Sequence, residues 1–165
     1  MKIVIQRVSR ARVEIGGVMV SSIGKGMVLL VGVEKGDTEK DIDFAVNKVV
    51  SLRIFGDGKN HMNMDIRDIG GSFLVISQFT VAGNIRKGRR PSFDRAAEPE
   101  KAEALYNLFV QRLQASGVPV REGRFREMMQ VHIVNNGPVT FWLDSKQPRR
   151  SSKYEGIRED SSELC

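Results

Sequence analysis

The chain has 165 residues, 41% hydrophobic and 28% charged, with a net charge of +6 and a pI near 9.7. This suits one globular domain with its own core, and no run approaches the ~18 consecutive apolar residues of a membrane helix. The single cysteine, Cys165, excludes an intrachain disulfide and fits a reducing, cytoplasmic setting.

The N-terminus, MKIVIQRVSRARVEI, alternates like a strand and lacks the apolar centre of an export signal. Residues 1–33 read as a β-meander: KIVIQRV, ARVEI, a tight turn at Gly16-Gly17, VMVSSI, a break at Gly24-Lys25-Gly26, then MVLLVGV. MVLLVGV is apolar on both faces, the pattern of a strand covered on both sides. Thr38 and Asp41 have capping-box spacing. Ile42, Ala45, Val46, Val49 and Leu52 then recur at helical spacing and predict a helix with one face on the sheet. Residues 56–71, rich in Gly, Asp and Asn, read as a long connection, and SFLVISQF at 72–79 as another buried strand. Pro99 opens a second helix with the stripe Ala102, Leu105, Tyr106, Phe109 and Leu113, closed by Gly117 and Pro119. VREGRF, MQVHIV and VTFWL complete the sheet. Between the last two, NNGPVTF at 135–141 places Gly137 and Pro138, which turn chemistry alone reads as a hairpin. The whole is predicted to be one α/β (α+β) domain over 1–145, a mostly antiparallel, barrel-like sheet with two main helices. A polar, basic tail follows at 146–165.

Side-chain catalysts are sparse. His61 lies in the polar connection and His132 on a strand face, and neither has metal-ligand spacing, so no metal or cofactor is expected. No phosphate-binding glycine loop is present. Two stretches carry candidate chemistry. In SQFTVAG, Ser77 to Gly83, a buried strand runs into a polar loop. Ser77 and Thr80 offer hydroxyls there, and the N–H groups around Gln78, Phe79 and Thr80 offer an oxyanion site. The alternative is an ordinary polar strand end. In RKGRRPSF, Arg86, Lys87, Arg89 and Arg90 surround Gly88, a run suited to phosphates or simply to a solvated surface.

The series QRVSRA, GVEKGDTEKD, LRIF, SQFT, RKGRRPSF and NNGPVTFWLDS, in this order, resembles the D-aminoacyl-tRNA deacylase family over residues 1–145. One small departure is Val81-Ala82 after SQFT, where a Leu and an aromatic residue are more usual. The resemblance implies a homodimeric enzyme that hydrolyses the ester joining a D-amino acid to the 3′-terminal adenosine of tRNA. Glycyl-tRNA, including glycine mischarged on tRNA(Ala), is an implied substrate. It further implies a cis Gly137-Pro138 peptide that reaches the partner subunit's site and, with Val139 and Thr140 beside it, excludes L-amino acids. Ser77, Gln78, Phe79 and Thr80 would form the catalytic loop, and the basic run would hold tRNA. Two mechanisms stay open: attack by Thr80, or attack by water assisted by the 2′-hydroxyl of the terminal ribose. The second fits the lack of a base beside Thr80. A non-catalytic tRNA-binding module and a general esterase using Ser77 or Thr80 are the rival readings.

Overall fold

A computed structural model describes residues 1–59, 61–86 and 88–147. β1 (Lys2–Ile15) is one continuous strand rather than two runs. β2 (Val18–Ile23) returns along it after Gly16 and Gly17, whose φ values of 57° and 80° suit a tight hairpin turn. β3 (Gly26–Gly32) then continues in the same direction along the same edge, since Ala11 faces Ile23 and Val8 faces Gly26. The expected meander is therefore a hairpin with an interrupted return arm. Neither Gly24 nor Gly26 adopts the positive φ that a primed turn would need.

β6 (Ser72–Ser77) lies parallel to β3, and β7 (Val120–Glu122) parallel to β6. Parallel neighbours need crossovers, which α1 (Glu39–Ser51) and α2 (Pro99–Ala115) supply. β8 (Gln130–Asp144) runs antiparallel along the other edge of β1, so most of the sheet is antiparallel and it curls into a nearly closed barrel. The connection after α1 is not featureless: β4 (Phe55–Gly56) and β5 (Met62–Met64) form a small antiparallel pair. The predicted strand at VREGRF is confined to Val120–Glu122.

The double-sided apolar strands are explained by two cores. Met27, Leu29, Val31, Phe73 and Val75 pack under the helices with Ile42, Val49, Phe109 and Leu113. Val28, Leu74 and Ile76 alternate onto the inner face with Val8, Val13 and Ile23. The capping box is present at the start of α1, where the Thr38 N–H donates to Asp41 Oδ2 at 2.9 Å. Asp41 also accepts from Ser145 Oγ at 2.7 Å and Lys146 Nζ at 3.1 Å, tying the helix to the end of β8. Burial alone would raise the Asp41 pKa. The hydrogen bonds from Ser145, Thr38 and Lys146 outweigh it and hold the carboxyl well below the ordinary range.

Candidate active site

β6 pairs with β3 as far as Ser77, opposite Val31, and the chain then leaves the sheet into a 3-10 turn over Phe79–Ala82. Gly83 permits the exit, because a Cβ there would lie 2.9 Å from the Thr80 carbonyl and 3.0 Å from the Phe93 ring. The Gln78 N–H is bonded to the Val31 carbonyl at 2.7 Å. That corrects the expectation of three free amides: this N–H belongs to the sheet. The amides of Phe79 and Thr80, at the open start of the turn, have no acceptor among the described residues.

Ser77, Gln78 and Phe79 line a cavity of about 700 Å³ together with Tyr106 of α2 and the 125–129 loop. Its size is that of a site for a drug- or nucleoside-sized ligand. Tyr106 donates to the Val75 carbonyl at 3.0 Å, which fixes the wall. Burial raises its pKa, with the Glu122 charge adding to the effect, so the phenol stays neutral. Thr80 is exposed, does not line the cavity, and its hydroxyl accepts from Gln78 Nε2. No histidine or carboxylate hydrogen-bonds Thr80 or Ser77 among the described residues. His132 instead pairs with Glu14 at 3.2 Å on the β1–β8 face, and among the described residues no metal-binding cluster occurs.

The basic run hangs beside this wall. Asn84 and Ser92 pair across its base, and Phe93 stacks edge-on against Phe79 with ring centroids 4.9 Å apart. Arg86, Arg89 and Arg90 are exposed. Lys87 lies outside the described residues, as does the tail from residue 148.

NNGPVTF is not a hairpin. β8 keeps its direction through it, because both flanks pair with β1: Gln6 faces Thr140 and Val8 faces Asn135. β1 advances two residues while β8 advances five, so Asn136 to Val139 are extruded as a wide bulge. Asn135 closes its neck, accepting from the Val139 N–H and donating to Thr140 Oγ1, both at 2.9 Å. The Gly137-Pro138 peptide is cis. Gly137 has a φ of 129°, and a Cβ there would sit 2.6 Å from Arg7 Nη2, so only glycine fits. Arg7 braces the bulge from β1, donating to the Asn136 carbonyl at 2.9 Å and the Ile54 carbonyl at 2.6 Å. Val139 and Thr140 are thus neck residues. Neither Gly137 nor Pro138 lines the cavity within one chain.

Arg7, Asn135 and the 125–129 loop were not among the expected site residues. Arg7 lies inside QRVSRA, quoted above only for its pattern. The loop has no periodicity to mark it, and reaches the cavity only because β7 pairs with β6.

These features match known proteins. A family model described as D-Tyr-tRNA(Tyr) deacylase matches residues 4–144. A D-aminoacyl-tRNA deacylase of Persephonella marina is 56% identical over 143 residues, 87% of this chain and 97% of that protein. One from Geobacter sulfurreducens is 52% identical over 152 residues, 92% and 100% of the two chains. A solved structure described as c-Myc DNA Unwinding Element Binding Protein aligns with a TM-score of 0.82 at 38% identity, covering 87% of this chain and 98% of that one. A probable eukaryotic D-amino acid tRNA deacylase shares the fold, with a TM-score of 0.72 at 16% identity over 86% and 97% of the chains. With its ordered motifs, its cavity at SQFT and a family model spanning nearly all its sheet, the chain belongs to the D-Tyr-tRNA deacylase family.

Proposed function

We infer that residues 1–145 hydrolyse D-aminoacyl-tRNA, releasing the D-amino acid and free tRNA in the cytoplasm. The observation that carries this reading is the cavity at the end of β6, lined by Ser77, Gln78 and Phe79, beside which the amides of Phe79 and Thr80 have no acceptor among the described residues. An aminoacyl ester is already activated, so its hydrolysis can rest on oxyanion stabilisation by preorganised N–H groups. The terminal adenosine and its aminoacyl group occupy the cavity, with water as nucleophile and the ribose 2′-hydroxyl assisting proton transfer. The position of Thr80 supports this choice over covalent catalysis. Its hydroxyl accepts from Gln78, and no base adjoins it among the described residues. Thr80 orients Gln78 and the turn.

The Gly137-Pro138 bulge acts in a homodimer, reaching the site of the second subunit. Supporting this, the bulge is braced by Arg7 and Asn135, yet neither Gly137 nor Pro138 lines the SQFT cavity of its own chain. There its backbone occupies the space an L side chain would need. Exclusion of this kind leaves many D side chains admissible, and glycine, including that carried by tRNA(Ala), as well. Arg86, Lys87, Arg89 and Arg90 grip tRNA phosphates.

The test is a paired deacylation assay with D-Tyr-tRNA and L-Tyr-tRNA. D-selective hydrolysis is expected. Binding without hydrolysis would mean a non-catalytic tRNA module, and hydrolysis of both would remove the chiral gate. A D-Tyr-tRNA ending in 2′-deoxyadenosine should react poorly, and full activity on it would rule out the assisted route.

A further inference from the structure

Among the described non-glycine residues, Arg126 alone has a positive φ, 62°. It sits in a turn closed by the Glu127 N–H donating to the Arg124 carbonyl at 3.4 Å. The third position of such a turn, when left-handed, favours Gly or Asn, because a Cβ crowds the backbone there. The turn is also anchored at its two shoulders. The Gly123 N–H donates to the Val75 carbonyl at 3.0 Å, and the Arg124 N–H points to Met129 Sδ at 3.4 Å. An arginine is therefore held firmly in a conformation that glycine would adopt more easily. Residues kept in this way against their local preference concentrate where a side chain must be aimed.

Arg126 is aimed at the rim of the cavity that Gln78 and Phe79 line. It is exposed and makes no ion pair among the described residues. Most of the lining is apolar: Val31, Ile76, Phe79, Phe125, Met128 and Met129. A guanidinium at the mouth of such a cavity has few ways to be used except by an anion on the ligand. The basic run lies outside the lining and is joined to its Phe79 wall only through Phe93, whereas Arg126, in the 125–129 loop after β7, lines the cavity itself. Among the described residues, Arg126 is thus the one cation that lines the cavity.

We propose that Arg126 is a substrate-positioning residue that binds the phosphodiester on the 5′ side of the terminal adenosine. This rests on the deacylase reading above. It fixes how far the 3′ end enters the cavity, and so places the ester against the amides of Phe79 and Thr80. Glu127, the carboxylate at the same rim, opposes that charge and tempers the affinity.

The experiment compares D-Tyr-tRNA with 3′-O-(D-tyrosyl)adenosine, which lacks the phosphodiester, for the full chain and the variants Arg126→Gly, Arg126→Lys and Glu127→Gln. For Arg126→Gly on D-Tyr-tRNA, KM rises about 5-fold and the log–log salt slope falls by roughly 0.7, the value of one single-strand phosphate contact. The loss falls mainly on KM, and it exceeds the loss on the adenosine ester by about the same factor. Arg126→Lys recovers most of the effect, and Glu127→Gln lowers KM on tRNA about 2-fold as a like-charge repulsion is removed. Arg126→Gly also has a Tm no lower than the parent, because glycine relaxes the turn. Equal losses on both substrates, or an unchanged salt slope, would overturn the proposal, since Arg126 would then act through the shape of the loop. Failure of the unaltered chain to hydrolyse D-Tyr-tRNA would instead overturn the deacylase reading, and this proposal with it.

Discussion

The end of β6 and the middle of β8 each carry a polar interruption in an apolar strand, but the fold supports them differently. SQFT leaves the sheet where pairing with β3 stops, so the amides of Phe79 and Thr80 are released beside a cavity formed by the same chain. NNGP never leaves its strand pairing. It is pushed out of β8 as a bulge, closed by Asn135 and braced by Arg7, and its Gly137 and Pro138 do not line that cavity. One region supplies a binding space with donors, and the other supplies a rigid projection. In the proposed homodimer, the projection of one copy would serve the cavity of the other.

That contrast can be broken at several points. Gly137→Ala should have the largest effect, since its Cβ would collide with Arg7 Nη2 at 2.6 Å and Val139 Cγ2 at 2.8 Å. A kcat/KM on D-Tyr-tRNA about 100-fold lower, roughly 2.7 kcal/mol, is expected with an intact circular dichroism spectrum. A loss under fivefold would show that the projection does not take part. Arg7→Ala comes next. It removes the charged donor to Asn136 and Ile54 carbonyls, so the bulge loosens and the D-to-L rate ratio falls about 30-fold, within the range for a hydrogen bond from a charged group. If the ratio holds while overall activity falls, Arg7 serves only folding.

The cavity side should respond more mildly. Thr80→Ala is expected to keep D-Tyr-tRNA hydrolysis within about tenfold of the parent, because the amides remain and only an orienting hydrogen bond is lost. A near-total loss with substrate affinity intact would make Thr80 the nucleophile. The smallest effect on activity belongs to Asp41→Asn, remote from both loops. It removes the acceptor that joins α1 to Ser145 and Lys146, at a cost of about 2 kcal/mol in stability. Since folding depresses the Asp41 pKa, the carboxylate's contribution is complete above its ordinary value and is lost as pH falls towards the depressed folded one. The Tm gap between parent and variant should therefore be full at pH 7 and narrow below about pH 4. A pH-independent gap would mean that packing, not charge, is responsible.

Much of this architecture is written locally. The stripe from Ile42 to Val49 and the Thr38–Asp41 box are satisfied within a few turns of chain, so both appear where periodicity and capping place them. The two-sided apolar runs of β3 and β6 state that both faces are covered, and two cores cover them. SQFT at a strand end could be read as a place where donors are presented, and family motifs supplied the rest. Gly16-Gly17 turns the chain as glycine pairs do, but Gly24-Lys25 and Asn136-Gly137 do not. Local composition lists the conformations a dipeptide can adopt, and the partner strand selects among them. β1 is long enough to hold β2 and β3 on one edge and all of β8 on the other. That pairing turns a plausible hairpin into a bulge.

Tertiary structure alone decided three matters. It assigned the Gln78 N–H to Val31, brought Arg7 beneath a peptide more than a hundred residues away in sequence, and swung the 125–129 loop to the cavity through the short β6–β7 pairing. Each depends on hydrogen bonds between residues distant in the chain, whose partners carry no mark in their own neighbourhood. The sequence by itself determined most of the strand and helix segments, though not the β4–β5 pair, and that glycine and proline occupy the projection, because burial and backbone freedom act residue by residue. Where those segments meet is set by strand register, a property that exists only once the sheet has formed.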